Sequence, residues 1–332
     1  MTRRISALLL SMLVVMSAFA QESPGKTAKA FIRQGDYNNA ILVLNRALEA
    51  SPDNQEYKKD LALSYYMQGD FNKSMAVIRP VVESNQADIQ SYQILGMVYK
   101  AVNENRDAER MYRAAIRKFP ESGALYNDFG ELLWNKGDFG PASRQWLKGI
   151  QTDRNYPGNY YNAAKYYYMS DDKVWGLIYG EIFLNLESYS SRTPEIKSLL
   201  VEGYKKLFNQ PDLMKGQDTK NDFVKAYLEI SKSHSQVVDQ GVTPDALTAL
   251  RTRFVLSWYD KMASKFPYRL FDYHRQLAKA GIFDAYNQWI FGAAGNLSVF
   301  QQWTSTHPDE YARFTKFQKN RVFKMPEGQW YR

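Results

Sequence analysis

Three histidines, His234, His274 and His307, are the only imidazoles in this 332-residue chain, and it has no cysteine. A thiolate nucleophile, a disulfide framework and a cysteine-based metal site are therefore excluded. Asp272-Tyr273-His274-Arg275 sets a carboxylate two residues from an imidazole. On a helix those two positions point apart, so they form no ready-made acid–base pair. His307 followed by Asp309 and Glu310 has the residue types of a metal site. The same run reads better as a helix start, with Pro308 in the first turn and acids beside the positive end of the helix dipole. The sequence has no HExxH, no GxSxG and no phosphate-cradling glycine loop. Aspartate and glutamate are plentiful, but no spacing pairs two of them for acid–base work. The expectation is a non-enzymatic protein with no catalytic residues, no metal and no cofactor.

The residue types that remain are those of binding surfaces. The chain carries 24 tyrosines, 18 phenylalanines and 7 tryptophans. Trp258, Trp289, Trp303 and Trp330 fall in its last third. They could form a stacking platform for sugars, although aromatics at helical spacing more often fill a core. Net charge is +8, yet from Tyr311 onward six basic residues face one acid, leaving residues 21–310 close to neutral. A nucleic-acid reader would spread its basic residues over a binding face, so no nucleic-acid partner is expected.

The elements that position these side chains follow a 34-residue period. Gly35-Asp36-Tyr37, Gly69-Asp70-Phe71 and Gly137-Asp138-Phe139 are one tripeptide at separations of 34 and twice 34, and Asn103-Glu104-Asn105 fills the slot between the last two. A fixed period of this length means stacked copies of one supersecondary unit. Tyr92, Leu95, Gly96 and Tyr99 line one helical face; Tyr126, Phe129, Gly130 and Leu133 repeat it, and Tyr160, Ala163, Ala164 and Tyr167 repeat it again. The small residue in each set sits where two helices approach closely. Second helices carry Ala108, Tyr112 and Ala115, then Ala142, Trp146 and Gly149. Pro24 and Thr27 predict a late start for the first helix, and Pro80 a kink or early stop within its helix. Asp171-Asp172 replaces Gly-Asp in the fifth unit. Thr193-Pro194-Glu195 opens a helix to about Phe208 that caps the stack.

This pattern resembles the tetratricopeptide repeat (TPR) family: Tyr92, Leu95, Gly96, Tyr99, Ala108, Tyr112 and Pro120 fill its signature positions. The resemblance covers about residues 21–190 as five units. It implies an all-α, right-handed solenoid of helical hairpins, capped at 193–208, whose first helices line a concave groove that binds another protein. Carried onto this sequence, the groove holds Lys59, Leu63, Tyr66 and Met67 from the second unit and Gln93, Met97 and Lys100 from the third. Asn127, Glu131 and Trp134 come from the fourth, and Tyr161, Lys165 and Tyr168 from the fifth. Their mixed charges imply a protein or peptide segment that is neither strongly acidic nor strongly basic. The carboxylate clamp of some TPR proteins does not carry over, because Leu63 stands where it needs asparagine.

Around the repeats the chain divides into a signal peptide at 1–20, the solenoid at 21–208, a linker at 209–220 and an all-helical C-terminal domain at 221–332. Arg3 and Arg4, the apolar run from Ala7 to Met16, and Ala18-Phe19-Ala20 predict Sec export with cleavage before Gln21. The mature protein is expected in a periplasm, or secreted, where envelope components are available partners and membrane contact is not expected. Helices are predicted near 221–238, 244–264, 268–280, 283–294, 297–305 and 308–323, either continuing the stack or forming a separate domain. The stripe Tyr311, Phe314 and Phe317 is expected to dock on these helices, with Trp330 pinning the chain end. The runner-up function is envelope glycan or peptidoglycan binding, or hydrolysis, through this aromatic-rich region.

Overall fold

The computed structural model describes residues 23–332; the signal-peptide expectation for residues 1–20 falls outside them. Among the described residues all regular structure is helical, as expected. The chain forms two compact units, divided between Lys118 and Phe119.

The first unit holds three helix pairs: α1 (Pro24–Gln34) with α2 (Tyr37–Ala50), α3 (Gln55–Gln68) with α4 (Phe71–Glu83), and α5 (Ile89–Ala101) with α6 (Asn105–Lys118). Each half of the Gly-Asp signal has a mechanical role. Gly35 and Gly69 take left-handed φ values of 77° and 86° and stop the first helix. Asp36 and Asp70 then cap the next helix by accepting from the amides of Asn39 and Lys73. In the third pair Asn103 adopts φ 61°, so asparagine does the work of the missing glycine. Pro24 occupies the first helical turn, where its absent N–H costs nothing, so α1 does not begin late. Pro80 does not stop α4, which runs on to Glu83 with the proline exposed. The interior combines small and aliphatic residues such as Ala28, Leu44 and Leu61 with the buried tyrosines Tyr92, Tyr99 and Tyr112.

The second unit opens with two more pairs, α7 (Gly123–Asn135) with α8 (Phe139–Thr152) and α9 (Pro157–Met169) with α10 (Lys173–Leu186), and then α11 (Thr193–Phe208). Gly130 lies against the indole of Trp146, and a Cβ there would overlap the ring; Trp146 donates to the carbonyl of Asn127 at 3.2 Å. The α9–α10 turn lacks the glycine stop, and Asp172 makes no cap bond. Gln217 replaces it, its Oε1 accepting from the amides of Lys173 at 2.8 Å and Val174 at 3.3 Å. Residues 209–220, read from sequence as a linker, are thus packed on the last repeat, with Leu213 and Gln217 buried.

Beyond them come α12 (Asp222–Ser233), a 3-10 turn, α13 (Pro244–Lys261), α14 (Arg269–Lys279) and α15 (Phe283–Asn287). A π-helical turn (Gln288–Gly292), α16 (Leu297–Thr306) and α17 (Pro308–Lys319) complete the helices. Helix α10 is buried at every position from Lys173 to Leu184, as befits a helix that is apolar all round. Phe223 of α12 meets Trp175 of α10, Trp258 of α13, Phe271 of α14 and Tyr331 at ring separations of 4.9 to 6.2 Å. The last repeat and the C-terminal helices therefore share one aromatic core. Phe314 is fully buried against Tyr286 and Trp289, and Phe317 meets Tyr273, so the stripe docks as expected. Helix α17 ends at Lys319, short of the expected 323. The chain end is pinned by Tyr331, which donates to the carbonyl of Pro267 at 2.7 Å, while Trp330 stays half-buried.

Candidate functional site

In the first unit the first-helix face carries a ladder of charges. Lys59 is only 3% exposed, because its ammonium sits 2.6 Å from Glu56 and 2.5 Å from Asp88. Burial opposes its charge, but these two acids outweigh burial and raise its pKa. Lys29 reaches Glu56 at 3.5 Å and Asp60 at 3.7 Å, extending the ladder from α1 to α3 and α5. Asp60 is nearly buried, and desolvation raises its pKa despite Lys29. Lys59, expected to face a partner, is thus engaged within the protein. Beside the ladder Leu63, Tyr66, Gln93, Met97 and Lys100 are half-buried, and Met67 is 49% exposed.

Tyr66 and Trp134 occupy the same position two repeats apart, and both turn toward the aromatic that follows Gly-Asp. Tyr66 packs on Phe71 at 5.6 Å; Trp134 packs on Phe139 at 4.6 Å and on Trp146 at 5.6 Å. Both rings, expected to face a partner, are half-buried, and each packs at the end of its own hairpin. The sequence signal was present, since an aromatic five residues before the turn aromatic recurs at both places.

In the second unit the equivalent face is tied off. Asn127 is 5% exposed and accepts at its Oδ1 from Asn162 at 2.9 Å, while donating to Glu131 at 3.0 Å. Tyr161 donates to Glu195 of α11, and Lys165 meets Glu195 at 2.9 Å. Arg192 lies 4.8 Å from the Tyr161 ring centre and Lys206 3.8 Å from that of Tyr168. Helix α11 packs on α9 and α10, and in doing so it engages the three fifth-repeat residues assigned to a partner.

Sequence reasoning missed a buried charged cluster behind this face. Glu181 of α10, Arg251 of α13 and His274 of α14 are each under 6% exposed and mutually bonded, with His274 Nε2 2.7 Å from Glu181. Tyr286 donates to Glu181 at 2.9 Å and Arg251 donates to Asn287. Burial alone would raise the Glu181 carboxyl, but Arg251 and His274 prevail and hold it at about 2. Burial and the neighbouring Arg251 lower His274, against the pull of Glu181. The visible signal was a lone glutamate within the apolar run of α10. His274 and Asp272 do point apart: Asp272 instead receives Arg269 and Arg275, both at 3.1 Å. His307 stacks on Trp303 at 4.6 Å. Among the described residues no group of three or more histidines and acids could hold a metal ion, and no helix is long and apolar enough to cross a membrane.

Two family models match the chain, both described as tetratricopeptide repeat, over residues 31–96 and 95–160. No curated protein matches. Solved structures similar to it include a thermophilic TPR protein of Thermus thermophilus, with 17% identity and TM-score 0.45, covering 55% of this chain and 97% of that one. Another is a tetratricopeptide repeat protein of Parabacteroides merdae, with 14% identity and TM-score 0.43, covering 82% and 97%. A third is the Cut9–Hcn1 hetero-tetramer of the APC/C, with 12% identity and TM-score 0.40, covering 86% and 54%. The period, the glycine stops and the helix pairs agree with the family matches, and residues 31–160 of this protein are tetratricopeptide repeats.

Proposed function

We propose that this protein is an exported, non-enzymatic scaffold that binds an extended segment of another protein along its first-helix faces. Tetratricopeptide repeats support protein–protein interaction as the general role. One observation carries the finer reading: Leu63, Met67 and Met97 leave apolar surface beside a charge ladder whose two lysines are already paired with acids. Methionine and other apolar side chains ringed by polar groups are typical of an interface core. The mixed charges of the ladder suit a partner of mixed charge. The second unit contributes less, because Asn127 is tied to Glu131 and Asn162 and the fifth-repeat residues are engaged by α11. Export rests on the first twenty residues, and a periplasmic or secreted location follows from it. A sugar platform draws little from the geometry, since Trp258 and Trp289 are buried.

The test is capture of partners from an envelope extract by the purified protein and by a Met67→Glu, Met97→Glu variant. The variant should lose the captured bands and keep its melting temperature. Retention of those bands would place binding elsewhere. Trp134→Ala, by contrast, should lower the melting temperature, because its ring closes a hairpin.

A further inference from the structure

A cleft lies on the second unit. It measures about 450 Å3 and opens to solvent between the α10–α11 loop, the first turns of α11 and the π-helical turn. Tyr189, Pro194, Trp289, Ala293 and Ala294 give it apolar walls, with the hydroxyls of Ser190 and Ser198 at its rim. Lys197 is the only charged residue that lines it.

The state of that lysine is unusual. Its ammonium lies 4.0 Å from the centre of the Trp289 ring, and no carboxylate among the described residues pairs with it. Burial alone pushes it down to about 8. Nearby acids are committed elsewhere: Glu187 receives Arg192 at 3.0 Å and Glu195 meets Lys165 at 2.9 Å. A cation–π contact returns only part of the desolvation of an ammonium. Methionine would fill the same space without that penalty, so packing by itself gives no reason for a charge. Tyr286 stacks on Trp289 with ring centres 6.0 Å apart, and Trp289 is only 4% exposed, which leaves little ring surface for a sugar.

We propose that this cleft binds a small organic carboxylate, its anionic end on Lys197 and its apolar body against Pro194, Ala293 and Tyr189. One unpaired cation suits a monoanion; a phosphate would call for several converging donors. The volume lies in the range of small-molecule sites. This site stands apart from the partner-binding reading, and neither depends on the other. The carboxylate could belong to a free acid or to the C-terminus of a peptide, and the chemistry at Lys197 is the same.

Competitive acetylation read by peptide mass spectrometry tests it. At pH 8, benzoate at about 10 mM, suited to the millimolar affinity of a small ligand, should slow acetylation of Lys197 about fivefold, because pairing with an anion favours the protonated amine. Lys205 should be unaffected, and neutral benzamide should protect neither. A tripeptide ending in a free phenylalanine carboxylate forms the second arm: protection by it alone identifies a chain end as the ligand, and protection by benzoate identifies a free acid. Calorimetric binding of the protecting acid should vanish in Lys197→Met and return in Lys197→Arg. No protection by either acid, equal protection by benzamide, or unchanged binding in Lys197→Met would overturn the proposal. The protection measurement uses the unmodified protein, so it stands whether or not a variant folds.

Discussion

The two compact units are built from the same 34-residue module and use it differently. In residues 23–118 the interior combines alanine and aliphatic side chains with the buried Tyr92, Tyr99 and Tyr112, and the first-helix charges pair at the surface, where water still reaches Lys29, Glu56 and Asp88. In residues 119–332 the module is overlaid by later sequence. The fully buried Trp146, Trp175 and Trp258 all lie there. So does the Glu181–Arg251–His274 cluster, whose side chains are each about 5% exposed or less. The same hairpin thus keeps a half-exposed face in the first unit and, in the fifth repeat, has that face engaged by α11. A repeat position predicts backbone and packing; it does not predict whether the outward side chain stays available.

The largest effect expected from this difference is at Arg251. Arg251→Met leaves the Glu181 carboxylate buried beside a neutral side chain, and should destabilise the second unit by about 3–5 kcal/mol. Hydrogen exchange should show α10, α13 and α14 losing protection while α1 to α4 keep theirs. Adding Glu181→Gln should recover much of the loss. If Arg251→Met is neutral, the cluster is not the strong point of the second unit.

Acid should separate the units next. Glu181 is depressed from 4.5 to about 2 in the folded state, so its contribution is present above the unfolded value and is lost as pH falls toward 2. His274 is lowered below 6.5; the unfolded chain therefore binds the extra proton first, and stability again falls with falling pH. Both signs agree. Urea unfolding followed through the second unit should weaken from about pH 6.5 downward, by about 3 kcal/mol from Glu181 alone. A flat profile between pH 6 and 3 would contradict the buried pairing.

Gly130→Leu should follow, at about 3 kcal/mol, because the added side chain meets the Trp146 indole and the helices must separate. Thermal melting measures it, and a neutral result would mean that the repeat phase is misassigned. The smallest effect belongs to the first unit. Lys59→Met removes a cation from between Glu56 and Asp88, yet both acids keep contact with water. The expected loss is about 1 kcal/mol or less, read from urea midpoints. A loss as large as that at Arg251 would erase the distinction between a surface ladder and a buried cluster.

The 34-residue period, the helix pairs and most of the repeat-helix ends were legible in local spacing, the start of α1 and the end of α4 being the exceptions. These depend on contacts three to five residues apart: a left-handed glycine, a capping aspartate and an apolar face repeating every turn. Such signals survive in any context, which is why the boundaries of α3, α5, α7 and α9 fall where the 34-residue frame puts them. Local spacing also foretold that the aromatic stripe of α17 would dock through Phe314 and Phe317. What the tertiary structure alone decided were the partners of side chains that leave the helix surface. Tyr161 and Glu195 are 34 residues apart, Glu181 and Arg251 are 70 apart, and Asn155 and Met325 are 170 apart. Whether Tyr161 meets solvent or a carboxylate, and whether Glu181 is an exposed acid or the centre of a buried cluster, depends on which distant segment folds over it. No local spacing encodes that choice. It is set when the chain closes those loops and the desolvation of each polar group must be met by whichever partner the fold brings within reach.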